Sequence, residues 1–296
     1  MFRNFKYNLL MMLAALIWGS AFVAQRVGMD HIGPYAFNCI RSFIGCLALA
    51  PVIATLGRTG AARQFATRAA RRDLVVGGLV CGTILTVSTL LQQIGLKYTT
   101  AGKAGFITAQ YILLVPLFGL VLGKRASWLL WVAVAVALGG MYLLCVKDGF
   151  QIEKGDFYVF CCAACFSCHI LSIDHFVQKV DGILLSGVQF LVCGFLSGLL
   201  MLRMEAPPAM DDILGGWVSI LYTGILSSGV AYTLQIITQK HLSPAIAALV
   251  MSLESVFAAL TGWLVLHERL STREFIGCVL VFAATLLAQA PARNNR

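Results

Sequence analysis

Apolar runs of about twenty residues recur along the whole 296-residue chain, separated by short polar links. A helix of that length covers the ~30 Å hydrocarbon layer of a bilayer. Ten such runs lie near positions 8–25, 34–56, 74–96, 101–122, 127–146, 155–176, 183–202, 214–237, 243–266 and 272–290. The links leave no room for a soluble domain of any size. The pattern predicts an all-α polytopic membrane protein with ten transmembrane helices. The first run, preceded by MFRNFK and followed by AFVAQ, also has features of a secretory signal with a small-residue cleavage site. Its apolar part is longer than a signal core and has a counterpart in the second half of the chain, so it is expected to be retained as a span.

Composition agrees with this reading and excludes the soluble classes. Hydrophobic residues make up 59% of the chain and charged residues 12%, against about 45–50% and roughly 25% in a soluble domain; the mean hydropathy is +0.84. The net charge of +9 then carries membrane orientation, and no nucleic-acid partner is implied. With the N-terminus inside and ten spans, 13 Lys and Arg fall on the cytoplasmic side and 8 on the other, with Arg41 inside a span. The positive-inside rule therefore puts both termini in the cytoplasm. Most of the bias comes from one loop, GRTGAARQFATRAARRD.

The chain also repeats itself. KYTTAGKAGF at 97–106 lies 143 positions before KHLSPAIAAL at 240–249, and GKRASWLLWV at 123–132 lies 144 before HERLSTREFI at 267–276. Each pair occupies the same place in its half, so the expected units are 1–147 and 148–296, each a five-helix repeat. Five is odd, so the second unit enters the membrane from the opposite side. Such inverted repeats are typical of carriers, whose two halves expose one central site alternately to either face.

Several segments resemble the drug/metabolite transporter superfamily, specifically its bacterial EamA branch. They are WGSAFVAQRVG, CIRSFIGCLALAPV with Arg41, KYTTAGKAGFITAQY with the later Pro116, CHILSIDHF, and LSPAIAALVMSLESVFAALTGWLVLHERLS. The resemblance covers almost the whole chain in order. It implies a ten-helix carrier of small metabolites in the bacterial inner membrane, frequently an exporter, with both termini cytoplasmic. The chain departs from the family at Ser255, which follows Glu254 where Pro is common, so a weaker helix break is expected there.

Candidate site residues follow from polarity at depth. The stretch CCAACFSCH at 161–169 contains Cys162, Cys165, Cys168 and His169 in C-x2-C-x2-C-H spacing, which in a soluble protein suggests zinc or an iron–sulfur centre. Within a span, Cys161, Cys165 and Cys168 share one helix face while Cys162 points about 100° away, and a single helix cannot close a tetrahedral site. These cysteines are expected to pack between helices, with no metal and no cofactor. All ten cysteines fall within predicted spans, so no extracellular disulfide framework is expected. His169, an ionisable group in the inner half of the membrane, is a cavity candidate, the alternative being a buried neutral ring satisfied by a neighbour.

Glu254 is 11 residues into the ninth span, about 16 Å from the cytoplasmic end at 1.5 Å per residue. Arg41 is seven residues into the second span, about 10 Å from the outer end. Their depths allow an ion pair, either as a static packing element or with one or both facing a substrate cavity. Trp18, Ser20, Gln110, Tyr111, Gln189 and Gln235 add hydrogen-bonding groups within spans. Gln92, Gln93 and Lys97 sit near the outer end of the third span, where an interfacial role is the simpler account. Gly78/Gly82 and Gly194/Gly198 have the spacing that lets helices approach closely, and Pro51 and Pro116 are expected to kink their spans.

These features point to a secondary transporter, exporting a small metabolite such as an amino acid or related amphipathic solute by alternating access through a central cavity. No phosphate-binding loop of the G-xxxx-GK-[ST] kind occurs, so the energy comes from ion or solute gradients, or the protein is a facilitator. Glu254 is the proton-coupling candidate. The expected partners are a small-molecule substrate and the lipid bilayer, and the expected state is a monomer or homodimer. The competing reading is a membrane-embedded enzyme, or a redox or metal protein, built on the Cys/His cluster of the sixth span. It is disfavoured by the inverted repeat and by the lack of a second ligand set near His169.

Overall fold

The computed structural model describes residues 2–59, 67–99, 101–124, 126–145, 153–266 and 271–289, and among them every regular element is a helix. α1 (Phe2–Gly28), α2 (Pro34–Thr59) and α3 (Arg68–Leu96) are long and continuous. The fourth apolar run is split into α4 (Ala101–Thr108) and α5 (Tyr111–Val121), and the fifth is α6 (Trp128–Cys145). α7 (Lys154–Phe176) and α8 (Gly182–Met204) are again continuous. The eighth run follows the short α9 (Met210–Gly215) and consists of α10 (Trp217–Leu221), a π-helical segment (Tyr222–Ala231) and α11 (Tyr232–Gln239). The ninth is split into α12 (Pro244–Met251) and α13 (Leu253–Leu266), and the tenth is α14 (Thr272–Gln289).

Eight of these segments among the described residues are long and apolar enough to cross a membrane, and Trp128–Leu143 in α6 is a shorter apolar helix. α14 packs along α6, α3 along α7 and α2 along α8, the most extensive pairings among the described residues. The protein is an all-α, multi-pass membrane protein.

The helix starts follow local chemistry. Asp181 accepts hydrogen bonds from the amides of Ile183 and Leu184 at the start of α8, and Ser243, followed by Pro244, caps α12. The start of α2 is capped from a distance, because the Glu205 carboxylate accepts from the amides of Tyr35 (3.3 Å) and Ala36 (3.0 Å). Both Pro51 and Pro116 lie inside helices.

Boundaries recur along the chain. α1 and α7 end 148 positions apart, at Gly28 and Phe176, and α2 and α8 begin 148 apart, at Pro34 and Gly182. α3 and α11 end 143 apart, at Leu96 and Gln239, while α4 and α12 both begin and end 143 apart. The two helix breaks obey the same offset, at Ala109–Gln110 and at Ser252. The second break needs no proline. The Ser252 hydroxyl donates to the Leu249 carbonyl and the Ser255 hydroxyl to the Ser252 carbonyl, each at 2.8 Å, so side chains supply partners where the backbone ladder is interrupted.

Close approach of α3 and α8 depends on small residues. A Cβ on Gly82 would lie 2.8 Å from the Gln189 carbonyl and 2.7 Å from the Val192 Cβ, and one on Gly78 would collide with Val188. Both glycines therefore serve the α3–α8 contact, as G-xxx-G spacing predicts. The packing pattern has a further regularity: the third span packs on the sixth and seventh, the eighth on the first and second, and the second on the seventh. Shifting each span by five places along the chain turns this set of pairs into itself.

Candidate functional site

A cavity with about 490 Å³ of atom-free space, its mouth included, lies among seven of the spans. One stripe of α1 contributes Trp18, Phe22 and Gln25, at helical spacing of four and three residues, and one stripe of α7 contributes Phe166 and Ile170. Arg41 enters from α2 and Gln92 from α3. The break in the fourth span brings in Thr108 and Tyr111, and the break in the ninth brings in Met251 and Glu254. Ser227 of the π-helical segment, with Tyr232 and Gln235 of α11, completes the wall. Interrupted helices thus supply much of the polar lining. Irregular backbone is tolerated at membrane depth where it borders such a cavity.

Hydrogen bonds fix most of these groups. The Tyr111 hydroxyl donates to the Glu254 carboxylate at 2.9 Å. Arg41 donates from Nε to Asn38 Oδ1 at 3.0 Å and from Nη1 to Gln25 Oε1 at 3.1 Å. Gln25 Oε1 also accepts from Gln93 Nε2 at 2.7 Å, and Gln92 Nε2 donates to Thr108 Oγ1 at 3.3 Å. The Trp18 ring meets the Tyr232 ring edge-on, centroids 4.8 Å apart. Trp18 Nε1 and Gln235 Oε1, a donor and an acceptor on the cavity wall, are buried without hydrogen-bond partners.

Of the residues singled out in the sequence, Trp18, Arg41, Tyr111, Gln235 and Glu254 come together here. Four lie elsewhere, among them Ser20, whose hydroxyl is hydrogen-bonded to that of Tyr222. Gln110 sits at the helix break and donates to the Phe106 carbonyl at 3.3 Å. His169 and Gln189 are fully buried against each other, Nε2 to Oε1 at 3.1 Å, behind the cavity wall formed by Tyr232. The ion pair that depth allows between Arg41 and Glu254 is not formed, since each is held by neutral partners instead.

Gln92 and Gln93 correct the interfacial account. Both are buried, and each bonds to another span. Both lie within the last turn or so of α3, which ends at Leu96, but they face neighbouring spans, whereas Lys97 just beyond is exposed. Gln25, Asn38 and Tyr232 were missed as well. The 143-residue offset already visible in the sequence would have found Gln92 from Gln235. The cysteines of α7 spread around the helix, with Cys162 buried, Cys161 and Cys165 half-buried and Cys168 exposed. Among the described residues no group of three or more His, Cys, Asp or Glu is gathered to hold a metal ion.

Ten of the fourteen lining residues form equivalent pairs at the offsets seen in the helix boundaries. Trp18/Phe166 and Phe22/Ile170 are separated by 148, and Gln92/Gln235, Thr108/Met251 and Tyr111/Glu254 by 143. The sequence profile of the EamA-like transporter family matches twice, over residues 5–146 and 153–289, which together take in nearly the whole chain. The chain belongs to that family. Among its relatives, an Archaeoglobus fulgidus protein named "Uncharacterized transporter" is 29% identical over 93% of this chain and 83% of its own. A Streptantibioticus cattleyicolor protein named "Probable terminal-alkyne amino-acid exporter" is 24% identical over 97% of this chain and 94% of its own. A crystal structure of a protein 19% identical superposes with a TM-score of 0.77 over 96% of each chain, a likeness of fold alone. An EamA-like transporter built from membrane-crossing helices has a small-molecule substrate and a lipid bilayer as its partners.

Proposed function

We propose that this EamA-like transporter is a secondary carrier that exports a small metabolite, an amino acid or a related amphipathic solute, by alternating access through the cavity between Arg41 and Glu254. The observation that carries this reading is the composition of the wall, in which five pairs of equivalent residues surround one space. A site shared equally by two halves can be opened to either side by exchanging their conformations. The halves are 1–147 and 148–296, inverted with respect to each other. Tyr111 and Glu254 are equivalent positions that touch, and equivalent positions can touch only where the axis relating the halves passes. In an inverted repeat that axis lies in the membrane plane, so the contact supports a site at the midplane.

The lining suits the solute. Trp18, Phe22, Phe166, Ile170 and Met251 offer apolar surface, while Arg41 and Glu254 offer opposite charges and the unpaired Trp18 Nε1 and Gln235 Oε1 offer a donor and an acceptor. The exporter named among the relatives handles an amino acid, which favours the same class here. The protein sits in the bacterial inner membrane with both termini in the cytoplasm, as a monomer or homodimer. Glu254 couples transport to protons, because a midplane carboxylate is costly to keep ionised without a cationic partner. The test is transport of labelled L-amino acids into proteoliposomes under an imposed pH gradient. Glu254→Gln keeps the acceptor for Tyr111 but cannot change charge; it should lose pH-driven transport and retain exchange. An unchanged pH profile removes the coupling role, and exchange lost along with it would make the carboxylate a binding group only.

A further inference from the structure

We propose that the Arg41 guanidinium, held between Gln25 and Asn38, is the subsite for a carboxylate on the transported solute. The cargo is then a carboxylate-bearing compound with an apolar body. This rests on the carrier reading above and specifies the chemistry of its cargo. Arg41 is 4% exposed and lines the cavity. Arginine only donates, through five N–H groups, and its charge persists in proteins. Its two acceptors, Asn38 Oδ1 and Gln25 Oε1, are neutral amides. Nη2 has no hydrogen-bond partner among the described residues, and no carboxylate there forms an ion pair with Arg41. A buried charge without a counter-ion is costly, so the arrangement is completed by an anion that comes from outside the chain.

The subsite is also built to hold its shape. Gln25 Oε1 is fixed by Gln93 Nε2 at 2.7 Å, and Asn38 Nδ2 donates to Ser197 Oγ at 2.8 Å, so both amides turn their oxygens to the guanidinium. Four spans thereby position one cation before any ligand arrives. The equivalent position in the other half, 148 residues on, is Gln189, which is neutral and bonded to His169 behind the wall. The charge is thus confined to one half and is not a requirement of the shared architecture. A planar carboxylate matches the free edge of the guanidinium fork. Glu254, on the same cavity wall, disfavours a ligand with more than one negative charge.

The test uses the purified full-length protein and simple probes at matched ionic strength: butyrate, butyramide, butylammonium chloride and inorganic phosphate. Butyrate is expected to raise the thermal unfolding temperature of the wild type in a saturable way, and butyramide and butylammonium are not. Arg41→Gln should weaken butyrate roughly tenfold or more, the worth of a charge-assisted hydrogen bond. Gln25→Glu supplies a built-in carboxylate at the same acceptor position. It should raise the unfolding temperature without ligand and abolish the response to butyrate, which keeps the test open if Arg41→Gln fails to fold. Equal responses to butyrate and butyramide, an undiminished response in Gln25→Glu, or stabilisation by phosphate as large as by butyrate would overturn the assignment. Counterflow of a neutral or cationic solute, equal in wild type and Gln25→Glu, would overturn the subsite and leave the carrier standing. Butyrate binding that depends on Arg41, in a protein that shows no counterflow, would support the subsite and remove the carrier.

Discussion

Tyr111→Phe removes one hydroxyl and nothing else from the centre of the molecule. Tyr111 is 4% exposed and Glu254 5%, and among the described residues the hydroxyl is the one donor to that carboxylate, at 2.9 Å. Because the ring is retained, no cavity opens and the loss is confined to the hydrogen bond. A bond to a charged acceptor contributes about 1.5–3 kcal/mol and one between neutral groups about 0.5–1.5 kcal/mol. Tyr111→Phe is therefore expected to destabilise the wild type by about 2 kcal/mol and a Glu254→Gln background by about 1 kcal/mol, a coupling of about 1 kcal/mol. The assay is a double-mutant cycle on the reversible unfolding of the purified protein in micelles. A Tyr111→Phe variant as stable as the wild type would refute direct pairing, and effects that simply add would refute the charged state of Glu254 in the resting protein.

Three further outcomes are expected. A reporter fused after Arg296 should read as cytoplasmic, and a single reactive cysteine at Asp211 should label from outside intact cells; labelling only after lysis would remove the ten-span topology. The combined Cys161→Ser, Cys162→Ala, Cys165→Ser and Cys168→Ala variant should fold and transport with modest loss, and metal analysis of the wild type should find no stoichiometric ion; bound zinc or iron lost together with activity would reinstate the metal reading. Gly19→Ala should destabilise by about 1–3 kcal/mol through overpacking, because its Cβ would lie 2.5 Å from the Glu254 carbonyl and 2.8 Å from the Ala258 amide; a neutral change in thermal unfolding would mean that α1 and α13 are less tightly joined than this.

Much of this was legible in the chain, for reasons that can be named. Apolar runs of membrane length become helices because nothing else satisfies the backbone in lipid. Glu254, Arg41, Tyr111, Gln235 and Trp18 could be picked out as polar or amphipathic groups at depth. What depth cannot supply is azimuth. Gln189 and His169 are as deep as the cavity residues, yet they point to each other, and Gln110 was carried into a helix break. Gln25 and Asn38 escape notice because each lies near one end of its helix, where amides are ordinary; their role appears only when Arg41 reaches them. The interruption at Ser252 is one residue long, and two serine hydroxyls supply partners there without a proline. The 143-residue offset carries more than the repeat it suggests, since it also links Gln92 to Gln235 and Tyr111 to Glu254 on the cavity wall.

The most direct measurement is counterflow in proteoliposomes. Vesicles holding the purified protein are loaded with one unlabelled L-amino acid, and uptake of the same labelled amino acid is followed without any other gradient. For at least one amino acid, loading is expected to accelerate labelled uptake and drive a transient overshoot, and Arg41→Gln should abolish both. Uptake that is indifferent to internal solute for every amino acid tested would contradict transport of amino acids by alternating access through this cavity.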